Sequence, residues 1–423
     1  MLVINMKNRI LSLTVAIVLT LNTSAASVET DRTWYLAGEA MKVSITADNA
    51  LIAYAELCDM QGLAAGLVVS LQEGKGSSVI ELPATLHSGY YVLSVYTRDD
   101  AHVSHRLVAV INPLRKSADD DIEWINITHP DSLSFAMADY GERAELIDKK
   151  DVDVRETEGH IIKARVRNVY DGYTFAGSQI CPSLSIVGKQ IHYFEGKMIN
   201  DSMAVFYTYG VHGRQPLVLS AMSSTGVSLP IEMISPFATL LPKRLPHLVF
   251  HYQRDEVEAR SLNMQRHQKT ITQAGGTAED GEYQATGLPL EYDETVHGTK
   301  PDLTYNLDEY RQFLTIREVL LEYVSFVKKR KVNGVQKLSV SFEQDNYNNI
   351  LSSLVLIDGM PVFDIERLLN YDARRIHYIN IYGGQYTFGH DIYNGILSFV
   401  TRSGRLTNYP TEPNTQYLVY DFP

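Results

Sequence analysis

His247 and His251 stand four apart, the spacing at which one helix turn offers two imidazoles to a single metal ion. The Leu-Val-Phe between them follows Pro246 and reads as a strand, where residues four apart sit roughly 13 Å apart, so no metal site is expected there. A second group is aromatic. From Gly383 to Asn394, Tyr386, Phe388 and Tyr393 are interleaved with Gly389, His390 and Asp391. Rings on a glycine-flexible loop form a contact patch, because aromatic anchors carry much of interface energy. Tyr386, Phe388, His390, Asp391 and Tyr393 are therefore the candidate binding residues; the alternative is that the rings fold back over their own core. Lys328 to Lys331 is a basic run, read as a solvated strand and turn rather than an anionic-lipid contact. Gly-x-Ser-x-Gly, His-Glu-x-x-His, phosphate-cradling glycine loops and clustered Cys/His ligands are absent from the sequence. No nucleophile is placed with a base, so the expectation is a non-enzyme with no catalytic residue, metal or cofactor.

The elements that must hold the aromatic loop can be read around it. Leu354 to Ile357 is an apolar run closed by Asp358-Gly359, a strand buried on both faces and a tight turn with positive φ at Gly359. Asp364 can cap a short helix whose Ile365, Leu368 and Leu369 share one face, with Asn370 as its stop. Ile379 and Ile381 lie on one side of a strand that Gly383-Gly384 is expected to end; the last strand is expected to start at Gly395. Upstream, Thr315-x-x-Glu318 is a capping box opening a helix with Ile316, Val319, Leu320 and Tyr323 in one stripe.

The stretch from Leu354 to Gly404 resembles the second half of the plug domain of TonB-dependent outer-membrane receptors. The Asp-Gly turn after a hydrophobic strand, the Leu-Leu-Asn helix end, the Ile-x-x-Ile-x-Ile strand closed by glycine, Tyr-x-Phe-Gly and Asn-Gly-x-x-x-x-x-Thr carry the match. Such receptors continue into a many-stranded barrel, whereas 18 residues follow Arg405 here. The resemblance implies a plug-like module, residues 301–408, without its own pore, followed by a C-terminal tail, 409–423.

Residues 1–26 read as a signal peptide. Lys7 and Arg9 precede an apolar core from Ile10 to Leu21, and Ser24, Ala25 and Ala26 offer a cleavage site; Met6 is an alternative start. No later stretch is long and apolar enough for a spanning helix, so no transmembrane segment is expected in the mature chain. A formal charge of −12 argues against nucleic acid as a partner.

Between Trp34 and Pro113, short alternating segments such as Met41, Val43 and Ile45, or Tyr91, Leu93 and Val95, predict an antiparallel β-sandwich over residues 27–113. Leu36-Ala37-Gly38-Glu39, Glu56-Leu57-Cys58-Asp59, Glu81-Leu82-Pro83 and Gly89-Tyr90-Tyr91-Val92-Leu93 resemble macroglobulin-type domains of bacterial surface proteins. That resemblance brings a thioester to mind, since Cys58 and Gln61 have its spacing. Asp59-Met60 stand where its Gly-Glu belongs, however, and a buried cysteine beside a turn glutamine is the plainer reading. Strand patterns return at Ile161 to Val166, Leu184 to Val187, Ala204 to Tyr209 and Leu217 to Leu219, giving a second sandwich over 114–260, with Pro230 and Pro236 marking its last strand as an edge or its exit. Residues 261–300 read as a linker. Cys58 and Cys181 fall in different domains and are expected as free thiols.

The chain thus reads as multidomain and mainly β, two Ig-like or macroglobulin-type β-sandwiches followed by a small α/β plug-like domain. The function expected is non-catalytic binding or assembly, exported to the periplasm or the periplasmic face of the outer membrane. Its partner there is an envelope protein, such as a receptor or barrel of a transport or surface-assembly complex. A macroglobulin-like protease trap or an unrecognised hydrolase is the alternative, and a shortened relative of a longer receptor-like protein is a third.

Overall fold

The computed structural model describes residues 26–113, 122–124, 156–157, 159–187, 191–250, 254–273, 295–332, 335–342, 351–388, 391–404 and 414–423. The segment read as a signal peptide, apart from Ala26, lies outside these residues, as do most of the polar stretch after 113 and residues 274–294 of the expected linker. The fold is mainly β and multidomain, as expected.

The first sandwich pairs a three-stranded sheet, Ser27–Thr30, Ala40–Thr46 and Lys75–Glu81, with a five-stranded one. The latter runs in the order Trp34–Leu36, Ser104–Ile111, Gly89–Tyr96, Ile52–Cys58, Leu63–Ser70. Alternation does what strand geometry demands: Met41, Val43 and Ile45 are buried while Lys42, Ser44 and Thr46 are exposed. Strand 52–58 breaks the rule, being buried along its whole length. Ala53, Ala55 and Leu57 face the inner core, and Ile52 and Tyr54 belong to an outer cluster that Phe237 and Leu240 cover.

The other end of that sheet is covered as well. Ile122–Trp124 and Leu248–Phe250 form a parallel two-stranded ribbon, and helix α1, Arg254–Gln273, follows it. Ile122, Leu248 and Val257 pack on Leu36, Tyr90, Ala109 and Ile111 of the first sandwich. Residues at both ends of the segment expected as the second sandwich are therefore an outer layer of the first. The helix also runs through the boundary expected at 260.

The second sandwich faces two four-stranded sheets. One is ordered Lys197–Met198, Met203–Thr208, His160–Val166, Ile231–Met233; the other His192–Glu195, Ile180–Ile186, Gly213–Ser223, Gln416–Phe422. The last strand falls in the expected tail. It pairs antiparallel with 213–219, from Gly213 opposite Phe422 to Leu219 opposite Gln416, and sends Tyr420 and Phe422 into the core with Phe206, Leu217 and Leu219.

Between Met233 and Gln416 the chain first covers the first sandwich with residues 237–264 and then makes the α/β module, which consequently lies within an insertion in the second sandwich. Its five-stranded sheet is ordered Leu303–Asn306, Ile376–Phe388, Asp391–Thr401, Leu354–Ile357, Met360–Pro361. Helices α2, Ile316–Glu322, and α3, Ile365–Leu369, and the hairpin Val327–Val332/Val335–Val340 complete it. The expected capping box forms: Thr315 Oγ1 accepts from Glu318 N at 3.3 Å and Glu318 Oε2 accepts from Thr315 N at 3.1 Å. Asp364 caps α3 by accepting from Arg367 N at 3.1 Å. Lys328, Lys329 and Lys331 are exposed along the first strand of the basic hairpin.

Two glycine expectations need correction. Gly383-Gly384 does not end its strand. A bulge between Tyr382 and Gln385 carries the strand on to Phe388, with φ +85° at Gly384 supplying the extra residue's turn. Gly395 lies inside the partner strand, which begins at Asp391. It has φ +83°, and a Cβ there would sit 2.7 Å from Tyr382 O. The Asp358-Gly359 turn is as read, with φ +47° and +90°. Asp358 is buried and accepts from Thr401 N at 2.7 Å and Thr401 Oγ1 at 2.5 Å, tying the turn to the neighbouring strand.

Candidate functional site

The aromatic stretch is a β-hairpin rather than a free loop: Tyr386 pairs with Tyr393 and Phe388 with Asp391. Strand alternation puts Tyr386, Phe388 and Tyr393 on the face toward the second sandwich, leaving Thr387 and Ile392 outward and exposed. Phe388 meets Tyr193 edge-on at 5.3 Å between ring centroids and stacks on His297 at 5.9 Å. Three of the five candidate binding residues therefore line a seam between modules, half-buried against Ile191, Tyr193, Val296, Leu354 and Tyr382. His390 lies outside the described residues, and Asp391 is placed only as a strand residue.

His297 sits at the centre of that seam. Its backbone is held at φ +52°, beside Gly298 at +67°, by His297 N donating to Ile191 O at 2.7 Å. Its Nδ1 lies 3.0 Å from His192 Nδ1, and its Nε2 faces Tyr193 O at 2.9 Å and Tyr193 N at 3.1 Å. Either neutral tautomer satisfies the ring, whereas a second proton would put a charge in a buried site and leave Nε2–H facing the Tyr193 N–H. Burial lowers the His297 pKa, against the Tyr193 hydrogen bond.

A second seam holds a buried polar relay. Glu156 Oε1 accepts from Tyr54 OH at 2.7 Å and Ile161 N at 2.7 Å, and stands 3.0 Å from His160 Nδ1 and 3.5 Å from Arg98 Nη1. Arg98 in turn lies over the Tyr54 ring, 4.9 Å from its centroid. His160 Nε2 is 2.6 Å from the hydroxyl of Tyr420. The first sandwich, the first strand of the second and its last strand are thus joined by one chain of hydrogen bonds. Burial would raise the Glu156 carboxyl, but the His160 hydrogen bond and the Arg98 charge outweigh it and hold the pKa below the ordinary value. Burial depresses the His160 pKa despite the adjacent carboxylate.

Geometrically this is a carboxylate, an imidazole and a hydroxyl in line, an order that activates nucleophiles elsewhere. Here the Tyr420 ring and His160 are buried, and burial raises the phenol pKa, so the group is held as a neutral donor. Nearby, Glu56 accepts from Tyr96 OH at 3.1 Å, Thr239 N at 3.0 Å and Leu240 N at 2.5 Å, fastening residues 238–240 over the first sandwich. Burial nevertheless raises the Glu56 pKa.

The relay residues Glu156, His160 and Tyr420 have no signal in the sequence. Isolated Glu, His and Tyr residues 4 to 260 positions apart carry no local pattern. The other chemical candidates stay apart. His247 is exposed just before strand 248–250, and His251 is outside the described residues. Cys58 and Cys181 are not joined to each other by a disulfide. Burial pushes the Cys58 thiol up to about 12, and Gln61 is exposed in a turn where Asp59 Oδ1 accepts from Gln61 N at 2.7 Å. Among the described residues, no group of three His, Cys, Asp or Glu could hold a metal ion. No helix among them is long and apolar enough to cross a membrane.

No protein-family model matches the chain, and no curated protein matches it. Among solved structures it is similar to a Salmonella alpha-2-macroglobulin mutant, at 13% identity and TM-score 0.19 over 50% of this chain and 15% of that one. It is similar to native E. coli alpha-2-macroglobulin at 10% identity and TM-score 0.19, over 51% of this chain and 14% of that one. Dimeric latent PorU from Porphyromonas gingivalis gives 8% identity and TM-score 0.17, over 51% and 24%. The chain spans only a small part of these proteins, and at such scores they carry no argument; the sandwiches stand on their strand pairings.

Proposed function

We propose that this chain is an exported, non-catalytic binding and assembly protein at the periplasmic face of the outer membrane. Its α/β module, plug-like by sequence resemblance, would dock a receptor or surface-assembly partner. The observation that carries this reading is how the module is held. It is tethered at both ends within the second sandwich, clamped through the Phe388–His297 seam, and turns Leu314 and Leu321 outward at 65% and 80% exposure. A module fixed in one orientation with exposed apolar side chains around α2 suits presentation to a partner. The buried groups Arg98, Glu156 and His160 are spent on joining modules, which supports a mechanical role over catalysis. Export is supported by the order of charge, apolar core and small residues in 1–26, after which the first strand begins at Ser27. A protease trap built on Cys58 has less support, since its sulfur is buried.

A photo-crosslinking residue at Leu321 in cells, with the same residue at the exposed Tyr417 as control, tests the docking face. A discrete envelope adduct at Leu321 alone is expected; equal labelling at both positions, or none, refutes it. N-terminal sequencing should find the mature chain beginning after Ala25 or Ala26.

A further inference from the structure

A cleft of about 550 Å³ opens between the second sandwich and the α/β module, away from both seams. Its size lies within the roughly 300 to 1,000 Å³ of small-molecule sites, which favour boundaries between folded units. One wall is the hairpin Val169–Tyr170/Tyr173–Thr174, turned by Asp171 and Gly172 at φ +47° and +76°. This wall presents the Tyr170 ring at 51% exposure, backed by Met222 and Val227. The opposite wall is Phe363, Asp364 and Glu366, and the amides of Gln336 and Asn414 lie at the rim.

The charges of the cleft decide what it can hold. Glu366 is 2.5 Å from Arg317 Nη2 and 4.0 Å from Lys329 Nζ, and Asp364 is 3.7 Å from Arg367 Nε. A cationic ligand meets carboxylates whose charge is already balanced. An anion meets the same ion pairs, whose arginine and lysine charges are already engaged by Glu366 and Asp364. A neutral ligand with many hydroxyls suffers neither penalty: carboxylate oxygens accept from paired hydroxyls, the carboxamide oxygens of Gln336 and Asn414, whose nitrogens donate to Arg330 O and Ser228 O, accept as well, and a ring face packs on the C–H side of a pyranose. We infer that this cleft is a binding site for a neutral oligosaccharide, held against Tyr170 and hydrogen-bonded by Asp364 and Glu366.

The reading goes beyond partner docking, and Leu314 and Leu321 are not among the residues that line the cleft, so the two can fail separately. Calorimetric titration of the full chain with maltotriose, chitotriose and mannotriose, alongside trilysine and trigalacturonate, tests it. At least one neutral trisaccharide should saturate with a Kd on the order of 1 mM, and Tyr170→Ala and Glu366→Gln should each weaken it about tenfold. Tyr170 is exposed at a hairpin tip, so Tyr170→Ala should keep its melting temperature, which is measured alongside. The inference is overturned if none of the three sugars binds at about 50 mM, if either charged trimer binds more tightly than all of them, or if folded Tyr170→Ala binds unchanged.

Discussion

The hydroxyl of Tyr420 lies 2.6 Å from Nε2 of His160, across 260 positions of sequence. That contact fastens the last strand of the second sandwich to its first, and through Glu156 to the first sandwich. Tyr420→Phe keeps the ring and removes the hydroxyl, leaving a buried ring nitrogen without it. A loss of about 1 to 3 kcal/mol in denaturant unfolding is expected. Loss below about 0.5 kcal/mol would show that the relay contributes no stability.

Acid should loosen the same relay. The folded-state pKa of His160 lies below the ordinary 6.5, so the stability it contributes is complete above that value and is lost as pH falls through the folded pKa. Glu156, lowered from 4.5, acts in the same sense at more acid pH. Glu56, raised from 4.5, acts oppositely, gaining stability as pH falls toward that value. The melting temperature should drop between about pH 7 and pH 5, and drop less in His160→Gln. Parallel curves for the two proteins would remove His160 as the source.

Two glycines with similar backbone angles separate strain from contact. Gly172, φ +76°, has open space where a Cβ would be, while a Cβ on Gly359, φ +90°, would stand 2.7 Å from Ile186 O in the second sandwich. Gly172→Ala should cost about 1 kcal/mol from backbone strain alone, and Gly359→Ala clearly more. Equal melting temperatures would mean the seam yields to the methyl group.

Phe388 should behave as a packing residue. Phe388→Ala loses its contacts with Tyr193 and His297, with about 1 to 3 kcal/mol of destabilisation expected, less than for a fully buried ring. Ile392→Ala, on the exposed face of the same hairpin, should stay within about 0.5 kcal/mol. The reverse order in thermal melts would restore the free-loop reading.

Arg260 ties α1 to the first sandwich, with Nη2 at 2.6 and 2.8 Å from the two oxygens of Glu39 and its guanidinium 4.5 Å from the Trp34 ring centroid. Arg260→Ala should speed amide exchange in residues 254–264 while the global melting temperature moves little, because the site is partly exposed. Unchanged exchange would place the anchoring in Val257 and its neighbours instead.

What could be read from sequence was local. Met41, Val43 and Ile45 announce their strand because alternation and burial coincide, and Thr315 with Glu318 announces a helix start because both partners lie within one turn. Gly359 was legible because an Asp-Gly pair after an apolar strand has few other uses. The strand 416–422 was not: its outward positions Tyr417 and Val419 are as apolar as the inward Tyr420 and Phe422, so the alternation does not show in residue type, and the partner at 213–219 is some 200 residues away. Gly383-Gly384 looked like an end because a bulge uses the same residues as a stop. The relay of Glu156, His160 and Tyr420 had no pattern to find, since its members meet only when three segments have folded together.

The placement of the α/β module inside the second sandwich also dictates an order of events. During N-to-C synthesis, strand 213–223 emerges long before residues 416–422, and its free edge waits unpaired while the whole inserted module is made. The sandwich cannot close until that module has emerged, and a chain interrupted anywhere within the insertion leaves two unfinished units. A holdase that shields the edge of 213–223 would act before native pairing exists.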